Sequence, residues 1–174
     1  MKIFLTGQKQ IGKSTCIGTF LEKSQMQACG FQTLPVYENG KRIGFCIHAL
    51  VEMEDNDRRF SIQHDTYNEV IPGVFDSFGC QVLEKSMEYP SRILILDEIG
   101  VLEREEAAYL ELLKRAVHTH EQVLGVLKKK EAAHNAWMWK DPELKILDLD
   151  EISFEKALDI LCRSFTPQDG RMRE

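Results

Sequence analysis

The sequence predicts an α/β sandwich built on a mostly parallel sheet, and three observations predict it. The apolar run at residues 2–6 leads straight into a glycine-bounded loop and then a helical pattern. A second apolar run, at residues 92–96, is continuous, as a strand covered on both faces requires, and it ends in Asp97 and Glu98. Strand-like and helix-like segments alternate along the rest of the chain, the pattern of parallel strands joined by crossover helices.

Residues 14–23 read as the first helix, with Ile17, Phe20 and Leu21 on one face. Residues 30–37 and 41–50 read as two strands around Glu38, Asn39 and Gly40, because Asn-Gly takes the left-handed backbone that a tight hairpin demands. This hairpin is expected as an insertion at one edge of the sheet. A polar stretch, residues 52–59, precedes a candidate strand near 60–63. Pro72 suits the first turn of a helix carrying Val74, Phe78 and Val82 at four-residue spacing. Beyond the 92–96 strand, Tyr109, Leu112, Leu113 and Ala116 give the next helix its buried stripe, and residues 122–127 read as another strand. A segment holding Trp137 and Trp139 leads to a strand at 144–147. Phe154, Ala157, Leu158, Leu161, Cys162 and Phe165 then fall at helical spacing in the last helix. Residues 1–166 are expected to form one domain, with 167–174 a polar C-terminal tail.

Composition narrows the functional classes. A chain of 174 residues, 43% hydrophobic and 29% charged, has the make-up of an ordinary soluble domain with a real core. Its formal net charge of −6 gives non-specific nucleic-acid binding little electrostatic support, Lys128, Lys129 and Lys130 being the local exception. The five cysteines are widely spaced, without zinc-like or disulfide-like patterns, and read as reduced thiols in a cytoplasmic protein. The first apolar stretch is too short for a signal peptide, and no run approaches membrane-spanning length.

Gly7, Gln8, Lys9, Gln10, Ile11, Gly12, Lys13, Ser14 and Thr15 follow the pattern G-x-x-x-x-G-K-[ST], the phosphate-binding P-loop, at the first strand-to-helix turn. Glycines there let successive backbone N–H groups curl around an anion, and the following helix aims its positive end at it. Lys13 is expected to reach the β- and γ-phosphates, and Ser14 to ligate Mg²⁺. Asp97, at the carboxyl end of a buried strand, is the expected second Mg²⁺ residue, directly or through water. Glu98 is the candidate catalytic carboxylate, able to orient or deprotonate a water in line with the γ-phosphorus. Glu103 is either a helix N-terminal carboxylate or a cleft residue.

Three blocks together resemble a family of small P-loop nucleoside-triphosphatases, first described in thermophiles and represented in animals by cancer-related nucleoside-triphosphatase. They are residues 4–15, then Gly30-Phe31-Gln32-Thr33 leading to Gly40 and Phe45, then Asp97-Glu98-Ile99-Gly100 with Glu103. The resemblance implies a RecA-like P-loop NTPase core, usually monomeric, and Mg²⁺-dependent hydrolysis of ATP, GTP and other NTPs to diphosphate and phosphate. Departures are visible. Gln8, Lys9 and Gln10 fill a loop that in the family is rich in Pro and Gly, and Leu34-Pro35 and Val101-Leu102 replace an acidic residue and Lys-Met. The family's late arginines are missing from the segment around Trp137, Met138, Trp139, Lys140 and Asp141. Without an arginine on the γ-phosphate a slower enzyme is expected, unless Lys128, Lys129, Lys130 or Lys140 substitutes. Arg42 and Arg92 are weaker candidates for charge stabilisation. Trp137 and Trp139 are core residues by default, stacking on a nucleobase being the alternative. Two other functions are consistent with the same motifs: a nucleoside or nucleotide kinase, and a nucleotide-binding module that acts through a protein partner.

Overall fold

Ile93 and Ile95 face one way across the central strand, Leu94 and Leu96 the other, and all four are fully buried. That strand, β6 (Ile93–Ile99), therefore needs a layer of helices on each side, and the computed structural model supplies them. The structure describes residues 1–99, 106–129 and 136–165, apart from the side chain of Glu98. The expectations for Glu98, Glu103, Lys130 and the tail fall outside the described residues. The other strands are β1 (Lys2–Thr6), β2 (Ala28–Glu38), β3 (Lys41–Ala49), β4 (Arg58–Gln63), β5 (Asn68–Val70), β7 (Val123–Leu127) and β8 (Leu144–Asp148). The helices are α1 (Lys13–Ser24), α2 (Cys80–Met87), α3 (Ala107–Thr119), α4 (Ala136–Lys140) and α5 (Phe154–Ser164).

All eight described strands lie in one sheet of order β5-β4-β3-β2-β6-β7-β1-β8. From β2 to β8 every pairing is parallel, and from β2 outward through β3, β4 and β5 every pairing is antiparallel. The expected hairpin grows out of the sheet's own strand. Ala28 to Phe31 pair with β6, and the rest of β2 runs on to pair with β3. Gly30 sits at this junction with φ +88, and its Cα lies so close to β6 that an added Cβ would meet the Ile95 carbonyl oxygen at 2.0 Å. Only glycine fits there. The candidate strand near 60–63 is present as β4. The three-residue β5 is too short to leave a periodic signal.

Below the sheet, Ile3 and Leu5 pack with Cys16, Ile17 and Phe20 of α1 and with Ala157 and Leu161 of α5. Above it, Phe4, Leu94 and Leu96 pack with Val82 and Leu83 of α2, Tyr109 and Leu113 of α3, and Met138 of α4. The helix expected at Pro72 begins as a single π-helical turn, Phe75–Gly79, that runs into α2. Buried Glu106 ties this start to α3. Its carboxylate accepts from the Gly73 N–H at 2.6 Å and the Asp76 N–H at 3.1 Å, while Asp76 accepts from the Tyr109 N–H at 2.9 Å. A carboxylate on unpaired N–H groups at a helix start is favoured by charge and dipole alike. Among the described residues, no helix is long and apolar enough to cross a membrane.

Candidate functional site

The loop between β1 and α1 adopts the curl its glycines permit. Gly7, Gln10 and Gly12 have φ of 135°, 65° and 101°, and Gly12, left-handed, is the N-cap of α1. The Ile11 side chain packs on the core below the sheet. Gly7, Gln8, Lys9, Gln10, Gly12, Lys13, Ser14 and Thr15 all line one pocket of about 510 Å³ at the carboxyl edge of the parallel strands. Lys13 lies across the loop, its Nζ donating to the carbonyl oxygens of Gly7 at 3.0 Å and Gln8 at 2.6 Å.

Alternation along β6 puts Asp97 on the same side as Ile95, which is the α1 side. There Ser14 Oγ donates to Asp97 Oδ1 at 2.9 Å across 83 residues of sequence. Asp97 is buried at 3% exposure and is held from β2 as well. The Thr33 N–H donates to Asp97 Oδ2 at 3.2 Å, and Thr33 Oγ1 donates to the Asp97 backbone oxygen at 3.1 Å. The donor set fits Mg²⁺. Both groups are hard oxygens, and their 2.9 Å spacing matches the cis edge of an octahedron with ~2.1 Å bonds. Among the described residues there is no cluster of three or more His, Cys, Asp or Glu able to hold a metal.

A second anchor comes from the far edge of the parallel set. Asp150, just beyond β8, accepts the Gln8 N–H at 3.0 Å and the Lys129 ammonium, while Lys129 also lies 3.6 Å from Asp148. The Lys129 hydrogen bond, then that from Gln8, holds the Asp150 carboxyl below the usual carboxylate value. The same hydrogen bond raises Lys129 above the usual lysine value. Lys128 and Lys129 both line the pocket.

The structure separates the remaining candidates. Lys140 is at the exposed end of α4, and Arg92 precedes β6 at the opposite edge of the sheet, its guanidinium 4.0 Å from the Tyr89 ring centroid. Arg42 is on β3, over the Phe45 ring and bonded to Gln63. Trp137 and Trp139 pack against the core above the sheet, with the Trp137 ring 5.6 Å from that of His118, so their default reading holds. Sequence reasoning passed over Asp148 and Asp150. A usable signal was there, two carboxylates at the end of an apolar strand, the pattern that marked Asp97 and Glu98.

A family model described as NTPase matches residues 2–160. The chain belongs to that family. Among its NTPase relatives are nucleoside-triphosphatases THEP1 of three organisms. That of Thermotoga petrophila is 30% identical over 133 residues, covering 74% of this chain and 73% of the relative. That of Pyrobaculum aerophilum is 29% identical, covering 74% and 75%. That of Methanocaldococcus jannaschii is 27% identical over 171 residues, covering 91% and 96%. The fold of this NTPase is shared with THEP1 of Aquifex aeolicus, with TM-score 0.68 at 21% identity and coverage of 92% and 99%. It is shared equally with a human cancer-related nucleoside triphosphatase, with TM-score 0.66 at 23% identity and coverage of 94% of each chain.

Proposed function

We propose that this NTPase hydrolyses ATP, GTP and other nucleoside triphosphates to the diphosphate and phosphate in a Mg²⁺-dependent reaction. The observation that carries the reading is the Ser14–Asp97 contact at the mouth of the P-loop. It joins the two motifs, 83 residues apart, that such a reaction needs side by side. Lys13 and the N–H groups of residues 7–15 take the phosphates, with the positive end of α1 behind them. Ser14 and Asp97 would hold the magnesium ion, with Thr33 bonded to Asp97 to fix its orientation. Bound there, Mg²⁺ would neutralise charge on the β- and γ-phosphates. Glu98 orients the attacking water and takes its proton. Lys128 and Lys129 supply positive charge at the pocket wall, as point charges without the fork of an arginine, so modest turnover is expected. Base tolerance follows if the protein's hold is mainly on the phosphates.

The test is phosphate release from ATP and GTP by wild type and Glu98→Gln, with nucleotide binding measured on both. Turnover should fall by about 10²–10⁴ in the variant with binding retained. Binding without turnover in either protein would sink the hydrolase reading.

A further inference from the structure

The Gly7–Gln8 peptide, the first of the P-loop, is held from both sides. A trans peptide points its C=O and its N–H in opposite directions. On one side the Gly7 carbonyl oxygen accepts from Lys13 Nζ at 3.0 Å. On the other the Gln8 N–H donates to Asp150 Oδ1 at 3.0 Å, across 142 residues of sequence. One cation and one carboxylate therefore fix the plane of this peptide, and a rotation that breaks either bond turns the other away. The Gln8 carbonyl oxygen is a second acceptor for Lys13 Nζ, at 2.6 Å. The loop's own backbone thus aims the Lys13 ammonium, and that sets where its charge lies in the pocket.

Asp150 is itself firmly placed. In the turn after β8, the Leu149 N–H donates to the Thr6 carbonyl oxygen at 3.0 Å, and the Asp150 N–H donates to Asp148 Oδ1 at 2.9 Å. The N–H groups of Glu151 and Ile152 both donate to the Asp148 carbonyl oxygen at 3.1 Å. Gly7 leaves room for the two carboxylates: an added Cβ would lie 3.4 Å from Asp150 Oδ1 and 3.5 Å from Asp148 Oδ1. Lys129, just beyond β7, reaches over the end of β1 to pair with Asp150, and lies 3.6 Å from Asp148. The strand that leads into the P-loop is thus strapped between its two neighbours. Charge alone argues against this arrangement, because two carboxylates beside a pocket for a polyanion repel the ligand. What Asp150 provides in return is its hold on Gln8.

We propose that Asp150, held in place by Lys129, is a positioning residue for nucleotide binding, orienting the Gly7–Gln8 peptide and through it Lys13. It works through the backbone of the loop rather than on the substrate. Lys13 and the loop amides grip the phosphates before the reaction as well as during it, so a slackened loop raises KM and leaves kcat nearly as it was. The proposal rests on the P-loop pocket being the triphosphate site, and the experiment separates the two.

The full chain is assayed for phosphate release from ATP with Mg²⁺, and for ATP binding by calorimetry. The proteins are wild type, Asp150→Ala, Lys129→Met, Lys129→Arg and the double variant Asp150→Ala with Lys129→Met, and thermal unfolding checks that each is folded. Asp150→Ala should raise the KM and Kd for ATP about tenfold, as loss of a hydrogen bond to a charged group does, with kcat within about twofold of wild type. Lys129→Met should raise KM in the same direction, and Lys129→Arg should restore it. The double variant should fall well short of the product of the two single effects, because both residues act through one peptide. The sign of the Asp150→Ala effect decides. A carboxylate acting only by its charge would repel ATP, so a lowered KM in the folded variant overturns the proposal, and so does an unchanged one. Fully multiplying effects in the double variant would overturn the part played by Lys129. If Asp150→Ala does not fold, Asp150→Asn takes its place; it keeps an acceptor for Gln8 without the ion pair, and should raise KM by a smaller factor. Absence of both ATP binding and phosphate release in wild type would remove the underlying reading instead.

Discussion

Replacing Thr33 by valine isolates one contact of the candidate metal site. Valine keeps the β-branched shape that strand β2 favours, and it keeps the backbone N–H that donates to Asp97 Oδ2 at 3.2 Å. What disappears is the Oγ1 bond to the Asp97 backbone oxygen at 3.1 Å. Such a hydrogen bond contributes about 1 kcal/mol net. If all of it serves to hold Asp97 beside Ser14, the Mg²⁺ concentration giving half-maximal phosphate release should rise about fivefold, since ~1.4 kcal/mol is tenfold. At saturating Mg²⁺, kcat and the nucleotide KM should return close to wild type, and Thr33→Ser should restore the metal dependence. The unfolding temperature should fall by about 2–4 °C, as 1 kcal/mol does in a chain of this size. The assay is phosphate release titrated with Mg²⁺. An unchanged half-saturation in a folded Thr33→Val protein would refute the positioning role. A collapse of kcat at every Mg²⁺ concentration would show that Thr33 acts on something other than the metal residues.

Gly30→Ala should cost about 3–5 kcal/mol, from left-handed backbone strain plus the approach to the Ile95 carbonyl, and denaturant unfolding will measure it. Asp150→Asn tests the second anchor through pH. The Asp150 carboxyl is held below its ordinary value of 3.8, so its contribution is present above that pH and is lost as pH falls through the lowered value. Wild type should therefore unfold at a higher temperature than the variant at neutral pH, and the two curves should converge in acid below pH 3.8. Burial pushes the Cys29 thiol up to about 12 and the Cys16 thiol up to about 11, whereas Cys162 is exposed. Alkylation of the native protein at mildly alkaline pH, read by peptide mass spectrometry, should modify Cys162 well before Cys16 or Cys29.

Legibility in the sequence was local. The P-loop is a run of consecutive residues, and Asp97 announces itself by ending an apolar strand, so residue order alone places both. The contacts that complete the site join residues far apart in the chain. Thr33 meets Asp97 across 64 residues and Gln8 meets Asp150 across 142, and no spacing rule connects them. Glu106 reads as an ordinary charged residue near a helix start, and its hold on Gly73 exists only because α2 and α3 pack together. The outer strands were half legible. Asn39 and Gly40 mark the β2–β3 turn, while β5 has three residues and no pattern of its own.

The position of β1 has a bearing on biosynthesis. Among the described residues β1 pairs with β7 and β8, which follow it far along the chain at residues 123–127 and 144–148. At roughly 5–20 residues per second, a ribosome needs about 6–24 s after β1 to complete β7 and about 7–28 s to complete β8. During that interval Ile3, Phe4 and Leu5 have no strand to lie against, although they are destined for the middle of the molecule. The nascent chain thus carries an unpaired apolar strand until β7 and β8 emerge, and a product truncated before β7 would be suited to chaperone capture or aggregation. The phosphate loop, made before these strands, becomes usable only once they are in place.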